Sequence, residues 1–558
     1  MAAADLLFTG GSVFTGCSVF PAGSEAVEGA ERTPAPTTVA VAAGRIVGVG
    51  DNRVRELAGP ATAVVDLAGG LLVPGFQDAH VHPVQGGLER RSCDLSPYDN
   101  EGAYLRAVRA YAHRHPDKEW VTGGGWMLPA FPGGLPRAES LDRVVRHRPV
   151  FLPNRDHHGA WVNSRALELA GITAATPDPA DGRIERDADG QPTGLLHEGA
   201  MELVGRLLPV PSLAEQVAAL LEAQGYLHSL GITAWQDAIL GSYANLTDAT
   251  AAYLACVDAG TLTAKVVGAL WWDRTRGAEQ IPELVQRRAL LSTDRFRATS
   301  VKIMQDGIAE NFTAAMTSPY LDTCGGATRN AGHSMVPAGA LSEYVAALDT
   351  EGFQVHVHAI GDRAIRESLD AFAAARARNG RSVHRHHIAH LQVIHPTDLD
   401  RFADLDVTAT MQPLWAIHDE QMDVFTLPFL GAERAGWQYP FAALAACGTR
   451  LAAGSDWPVS TPDPLAGIHV AVNRRLPDDT GSAPAFMPEQ ALDVRTALSA
   501  YTAGSSYVNS LDDTGRIALG AAADLAVLDR DIVTGTPEAI GEASVVATYV
   551  DGVQVYPT

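Results

Sequence analysis

At 558 residues the chain can bury a large core, and 42 Lys+Arg against 65 Asp+Glu leave 42 − 65 = −23, which excludes a basic nucleic-acid or anionic-membrane surface and suits a small neutral or cationic ligand. Cys17, Cys93, Cys256, Cys324 and Cys447 include no C-x-x-C pair, so neither a disulfide framework nor a thiolate metal site is indicated and reduced, cytosolic thiols are expected. MAAADLLFTGG lacks a basic region leading into an apolar core, and no apolar run is long enough to span a bilayer, so the expectation is a soluble cytoplasmic protein, with a homodimer as its candidate assembly, acting on a small-molecule substrate.

Residues 1–73 open with strand-like runs, ADLLFTGGSVF and TTVAVAAGRIVGVG, separated by a Pro/Gly/Ser-rich stretch from Cys17 to Pro36 that reads as a surface loop. The texture returns in 506–558, where GRIALGAAADLAVLD and SVVATYVDGVQVY read as short strands with Gly and Asp-Gly turns. The two ends are expected to meet in one small β domain.

Between them, in 74–505, apolar strand candidates alternate with helical stretches: LLVPGFQDAHVH, GITAWQDA, AKVVGAL, SVKIMQDG, FQVHVHA, HHIAHLQ, VTATMQP and RLAAGSDWP. These eight predict an α/β fold, a (β/α)₈ TIM barrel with its active site at the C-terminal ends of the strands. The interval from about 86 to 230 is too long for one crossover and predicts an inserted subdomain beside the mouth.

The chain has four His-x-His pairs among its 19 histidines. His113/His115 sits in the charged YAHRHPDKEW and reads as a solvated helix end, whereas His80/His82 and His356/His358 follow apolar runs. In FQDAHVHP a strand period of two points Asp78, His80 and His82 to one side. Strand four carries Lys302, strand five ends at His358, strand six at His390 and strand eight at Asp456, so six side chains can converge on the barrel mouth. Four imidazoles and a carboxylate suit one or two divalent ions, Zn²⁺ by the nitrogen-rich set. An ammonium repels metal, but Lys302 as a carbamate would be a two-oxygen bridge; the competing place for it is an ion pair with Asp306. His356, His386 and His387 read as supporting groups, Asp78 as support beneath His80, and Asp362 with Arg363 in GDRAI as a helix N-cap and its partner.

These residues carry a family resemblance. VPGFQDAHVHP, RDHHGAWVNSRALELAGI, DGQPTGLL, VKIMQDG, HVHAIGDRAI, IAHLQ and AAGSDWPV make the chain similar to the amidohydrolase superfamily, specifically the amidohydrolase-3 (YtcJ-like) family that includes N-substituted formamide deformylases. The resemblance implies a β-sandwich composed from both chain ends and places His80, His82, Lys302, His358, His390 and Asp456 at metal-ligand positions. Two departures stand out. Ala389 replaces the acid of R-I-E-H, and His157 takes the glycine's place in R-D-G-H.

The implied activity is hydrolysis of a small molecule's C–N bond, an N-formyl or N-acyl amide, by a metal-bound hydroxide, with Lys302 bridging and Asp456 serving as general base and then acid. Asp156, His158, Gln412 and Trp457 are the candidate substrate-binding residues. Trp126, Trp161, Trp271 and Trp272 are candidates for either an apolar cavity wall or the core. A cyclic amidase or deaminase on the same fold is the alternative; a non-enzymatic regulatory protein is a second, which would be expected to have lost ligands.

Overall fold

Short β-branched runs closed by Gly, Pro and Asp form a ring of eight parallel strands in this computed structural model, which describes residues 3–16, 37–179, 181–243, 247–479 and 484–557. The strands are β1 (Phe76–Val81), β2 (Ile232–Leu240), β3 (Lys265–Trp271), β4 (Phe296–Met304), β5 (Gln354–Ala359), β6 (His387–His390), β7 (Thr408–Met411) and β8 (Leu451–Ala453). Each pairs in parallel with its neighbour in chain order. Backbone hydrogen bonds from Asp456 to His80 (2.8 Å) and from His82 to Trp457 (2.9 Å) join the end of β8 to β1. Gly454 sits where the two meet: a Cβ there would lie 2.7 Å from the His80 nitrogen. This is a (β/α)₈ TIM barrel, with all eight strands where the sequence placed them.

The alternation within β4 and β5 shows why these segments are strands. Val301, Ile303, Val355 and Val357 pack outward into the main apolar core against the surrounding helices. The intervening Lys302, His356 and His358 point inward, where they meet polar partners. The pleat thus builds a greasy outer layer and a polar axis from one run.

Between β1 and β2 the inserted residues form a six-stranded sheet in the order Gly182–Arg186, Pro192–Glu198, Gly159–Val162, Val150–Pro153, Val121–Gly124, Cys93–Asp94. Its own core holds Tyr104, Trp126, Phe131 and Trp161. The helix Leu213–Ser229, opened by a Ser212/Glu215 capping box, leads back into the barrel. His113 and His115 end the helix Glu101–Arg114, with His113 exposed. The helix Asp362–Asn379 corrects one expectation: Gly361 occupies its N-cap, and Asp362 instead accepts the Thr317 backbone N–H at 2.9 Å.

Both chain ends contribute to the remaining sheets. One joins Ser12–Val13 and Leu71–Pro74 to Leu525–Leu528, Val545–Val550 and Val553–Tyr556; the other contains Ala4–Thr9, Thr38–Ala42, Arg45–Gly50 and Ala58–Asp66. Phe8, Val39, Ile46, Leu72, Leu525 and Tyr549 share one apolar cluster between them. The Cys17–Pro36 stretch lies outside the described residues. Among the described residues no helix is long and apolar enough to cross a membrane.

Lys265, the first residue of β3, ties this unit to the barrel through Asp524 at 2.5 Å and Asp551 at 2.8 Å. Asp524 is buried, so Lys265→Met would strand its carboxylate and is expected to cost about 3–5 kcal/mol in urea unfolding. Burial already raises the Asp524 pKa, so the loss should shrink as pH falls and the carboxyl takes up a proton. An unchanged unfolding midpoint at neutral pH would contradict this.

Candidate metal centre and active site

The C-terminal ends of the barrel strands bring the expected polar residues to one floor. Asp456 is at the centre: its Oδ1 lies 3.1 Å from His80 Nε2 and 3.0 Å from His82 Nε2, and its Oδ2 lies 3.9 Å from His390 Nδ1. Lys302 Nζ stands 3.4 Å from His80 Nε2. His358 is beside this group, its ring centroid 4.3 Å from that of His390, with Nε2 3.3 Å from the Gly307 carbonyl oxygen.

Two of these residues reach the floor through unusual backbone. Regular alternation along β6 would put His390 on the outward face of Ile388; a φ of 80° turns it inward instead. Asp456 has a φ of 55°. Left-handed conformation costs a non-glycine residue roughly 1–3 kcal/mol, and such strain persists where surrounding structure enforces it, commonly at functional sites. Here the His390 N–H is held by Gln412 Oε1 at 2.8 Å, and the Asp456 N–H by the His80 carbonyl.

The supporting groups are equally specific. Asp78 accepts the His80 N–H at 2.9 Å and the Ser455 hydroxyl at 2.5 Å, bracing β1 against β8. Asp306 is not the partner of Lys302; its oxygens accept backbone N–H groups of Ala315, Ile360 and Gly361. Ala389 is buried in β6, and the His390 ring is stacked on Trp415, 5.3 Å between centroids and 5° between planes.

The side chains fit a divalent ion. Ligand atoms of His80, His390 and Asp456 all lie within 4.8 Å of one another. Nδ1 of His82 and of His390 are buried without a hydrogen-bond partner, an unsatisfied state that an ion or water would relieve. Burial drives His80 down to about 3 and holds His358 and His390 well below the usual imidazole range, with the Lys302 charge adding to it. Neutral imidazoles with one carboxylate are a metal-binding donor set. Burial also lowers Lys302 to about 7, against the pull of Asp456, which makes a free amine accessible at neutral pH.

A cavity of about 720 Å³ opens above this floor. Asp156, His158 and Trp457 line it, as does Trp271; Trp126 borders it but is fully buried with Trp161 in the insertion core, and Trp272 is buried in the barrel core. Gln412 is absent from the wall: it is buried and serves the His390 backbone. His157 lines the cavity with a φ of 64°, a conformation that favours glycine, and its Nδ1 pairs with Gln85 at 2.9 Å while its Nε2 is 3.4 Å from Glu89. His158 carries the opposite charge logic. Burial alone would discharge it, but Glu198 at 2.9 Å outweighs that and raises it to about 9, an imidazolium whose Nδ1 is engaged and whose Nε2 remains to donate. Glu198 was not legible as part of the site, because its partner is forty residues away in sequence.

The family model described as "Amidohydrolase family" matches residues 63–556. A Bacillus subtilis protein named putative amidohydrolase YtcJ is 30% identical over 95% of this chain and 97% of its own length. An Arthrobacter pascens N-substituted formamide deformylase is 28% identical over 94% of this chain and 96% of its own. The exoenzymes regulatory protein AepA of Pectobacterium carotovorum is 32% identical over 71% of this chain and 85% of its own. With a closed eight-stranded barrel, a buried His/His/Asp group at its mouth and a family match spanning nearly all of the sequence, this chain belongs to the amidohydrolase family.

Proposed function

We propose that the protein hydrolyses the C–N bond of a small N-formyl or N-acyl amine in a metal-dependent reaction. The observation that carries this reading is the Asp456 carboxylate, 3.1 and 3.0 Å from the two β1 imidazoles at the floor of a 720 Å³ cavity. His80, His82, His390 and Asp456 would hold an ion, with Lys302 and His358 beside them; bound there, a divalent ion supplies Lewis acidity that polarises a carbonyl and lowers the pKa of water. Zn²⁺ suits the nitrogen-rich donors.

The protein's own groups do the rest. Asp456 takes the proton from the attacking water and returns it to the amine nitrogen as the C–N bond breaks. His158, held as an imidazolium by Glu198, donates from Nε2 to the carbonyl oxygen as charge develops on it. The apolar faces of Trp271 and Trp457 take the amine substituent and exclude water from it. The Lys302 amine, freed by burial, combines with CO₂ and loses a proton to give a carbamate.

Metal-stripped protein, assayed with and without Zn²⁺ on N-formyl amines, N-acyl amino acids and hydantoins, tests the reading through its products. An amine together with formate or another carboxylate is expected. Free ammonia or a ring-opened acid would move the assignment to a deaminase or cyclic amidase, and retained metal without turnover would favour the regulatory role named in one relative. Elemental analysis is expected to find one to two divalent ions per chain, and the combined His80→Ala and His82→Ala variant to lose one. Undiminished metal in that variant would remove the β1 pair from the site.

A further inference from the structure

The polar interior beneath the candidate metal centre has a single sense of hydrogen-bond direction. Gln354 Nε2 reaches the carbonyl oxygens of Arg385 and Val508, both at 2.8 Å. Carbonyls only accept, so the other end of that amide, Oε1, must accept, and it takes the Gln236 Nε2 N–H at 3.0 Å. Gln236 therefore turns its own Oε1 to two rings, His356 Nδ1 at 2.7 Å and His387 Nε2 at 3.2 Å. A ring nitrogen facing an amide oxygen at that distance carries its proton. The other His387 nitrogen is then left to accept from the Thr410 hydroxyl at 2.9 Å.

The next link is His356 Nε2, 2.9 Å from His80 Nδ1. His356 is fully buried, and its ring neighbours are imidazoles and an amide. A second proton on it would place an unpaired cation on the barrel axis. Nε2 is therefore a lone pair, and the proton between the two rings belongs to His80 Nδ1. That leaves His80 Nε2 bare, aimed at Asp456 Oδ1 at 3.1 Å and at Lys302 Nζ at 3.4 Å. In the metal-free protein the Lys302 nitrogen, 3.4 Å from Nε2, can donate to that lone pair and offset its approach to the carboxylate, and an ion would take the same place.

We propose that Gln354, Gln236 and His356 form a directional relay that fixes His80 as its Nδ1–H tautomer, so that Nε2 is already presented as a ligand before an ion arrives. Gln236 and His356 are thus positioning residues, acting through His80. The effect on ion binding rests on the metal-centre reading; the tautomer does not.

The test uses the full-length protein with ¹⁵N-labelled histidine, freed of metal, with the His80 signals assigned by their loss in His80→Gln. Protonated Nδ1 and unprotonated Nε2 are expected. A His80 carrying its proton on Nε2 would overturn the relay, and this measurement needs no relay variant to fold. In Gln236→Leu and His356→Leu the proton should move to Nε2, where Asp456 can accept it, and Zn²⁺ affinity in chelator competition should fall by the 10–100-fold typical of lost supporting bonds. His356→Gln, whose amide again offers one acceptor and one donor, should recover much of that affinity. Unchanged tautomer and unchanged Zn²⁺ affinity in both leucine variants would also overturn the proposal. A parent protein with the Nδ1–H tautomer and no Zn²⁺ binding would support the relay while refuting the metal centre.

Discussion

Asp456→Asn is expected to lower turnover of N-formyl and N-acyl amines by about 10²–10⁴-fold, the range of general acid–base catalysis, while metal content and KM stay close to those of the parent. The asparagine keeps the size of the side chain and one oxygen near His80 and His82, so the floor of the cavity is preserved. It lacks a basic carboxylate, and with it the means to move a proton from water to the leaving nitrogen. In the parent, burial works against ionisation of Asp456, but its carboxyl still lies well below the usual range, with His82 Nε2 3.0 Å from Oδ1 and free to donate to it, so the base is available throughout the neutral region. Parent-like turnover in the variant would place the proton transfer elsewhere. His158, already in the cavity wall, would be the next group to test.

Lys302→Ala should be comparably severe, with activity lost by at least the 10–100-fold that follows removal of groups supporting a metal site. The side chain is buried on β4 with His80 as its near neighbour, and truncation leaves a gap at the centre of the floor. If the working form is a carbamate, acetate or another short carboxylate should enter that gap and restore part of the rate, whereas ammonium or methylamine should not. Rescue by the amines alone would identify the lysine as an ammonium. Full activity without any rescue would remove Lys302 from the mechanism.

The barrel was legible because its strands are short apolar runs between helical stretches, five of them carrying a metal-ligand type of residue at or near the end, and that pattern survives without any knowledge of pairing. Asp78, His80 and His82 were legible for the same reason. His390 was found only by its place after an apolar run; the period of two along HHIAH would have directed it outward, and only its backbone φ of 80° brings it in. The partnerships that tune the site were hidden. Glu198 sets the charge of His158 from the neighbouring strand of the inserted sheet, and Gln236 contacts rings on two other barrel strands; both contacts depend on strand pairing and packing and have no local spacing. Gln412 misled because its polarity at a strand end resembles that of a wall residue, while in the structure it holds the strained backbone at His390.

The most direct test of the account is a loading titration: metal-free protein given increasing Zn²⁺, with bound ion and the rate of amine release from an N-formyl amine measured on the same samples. The account predicts that rate rises from near zero in proportion to bound ion and levels off at one to two ions per chain, and that the His80→Ala, His82→Ala variant stays inactive throughout. Metal-free protein releasing amine as fast as the loaded protein would contradict it.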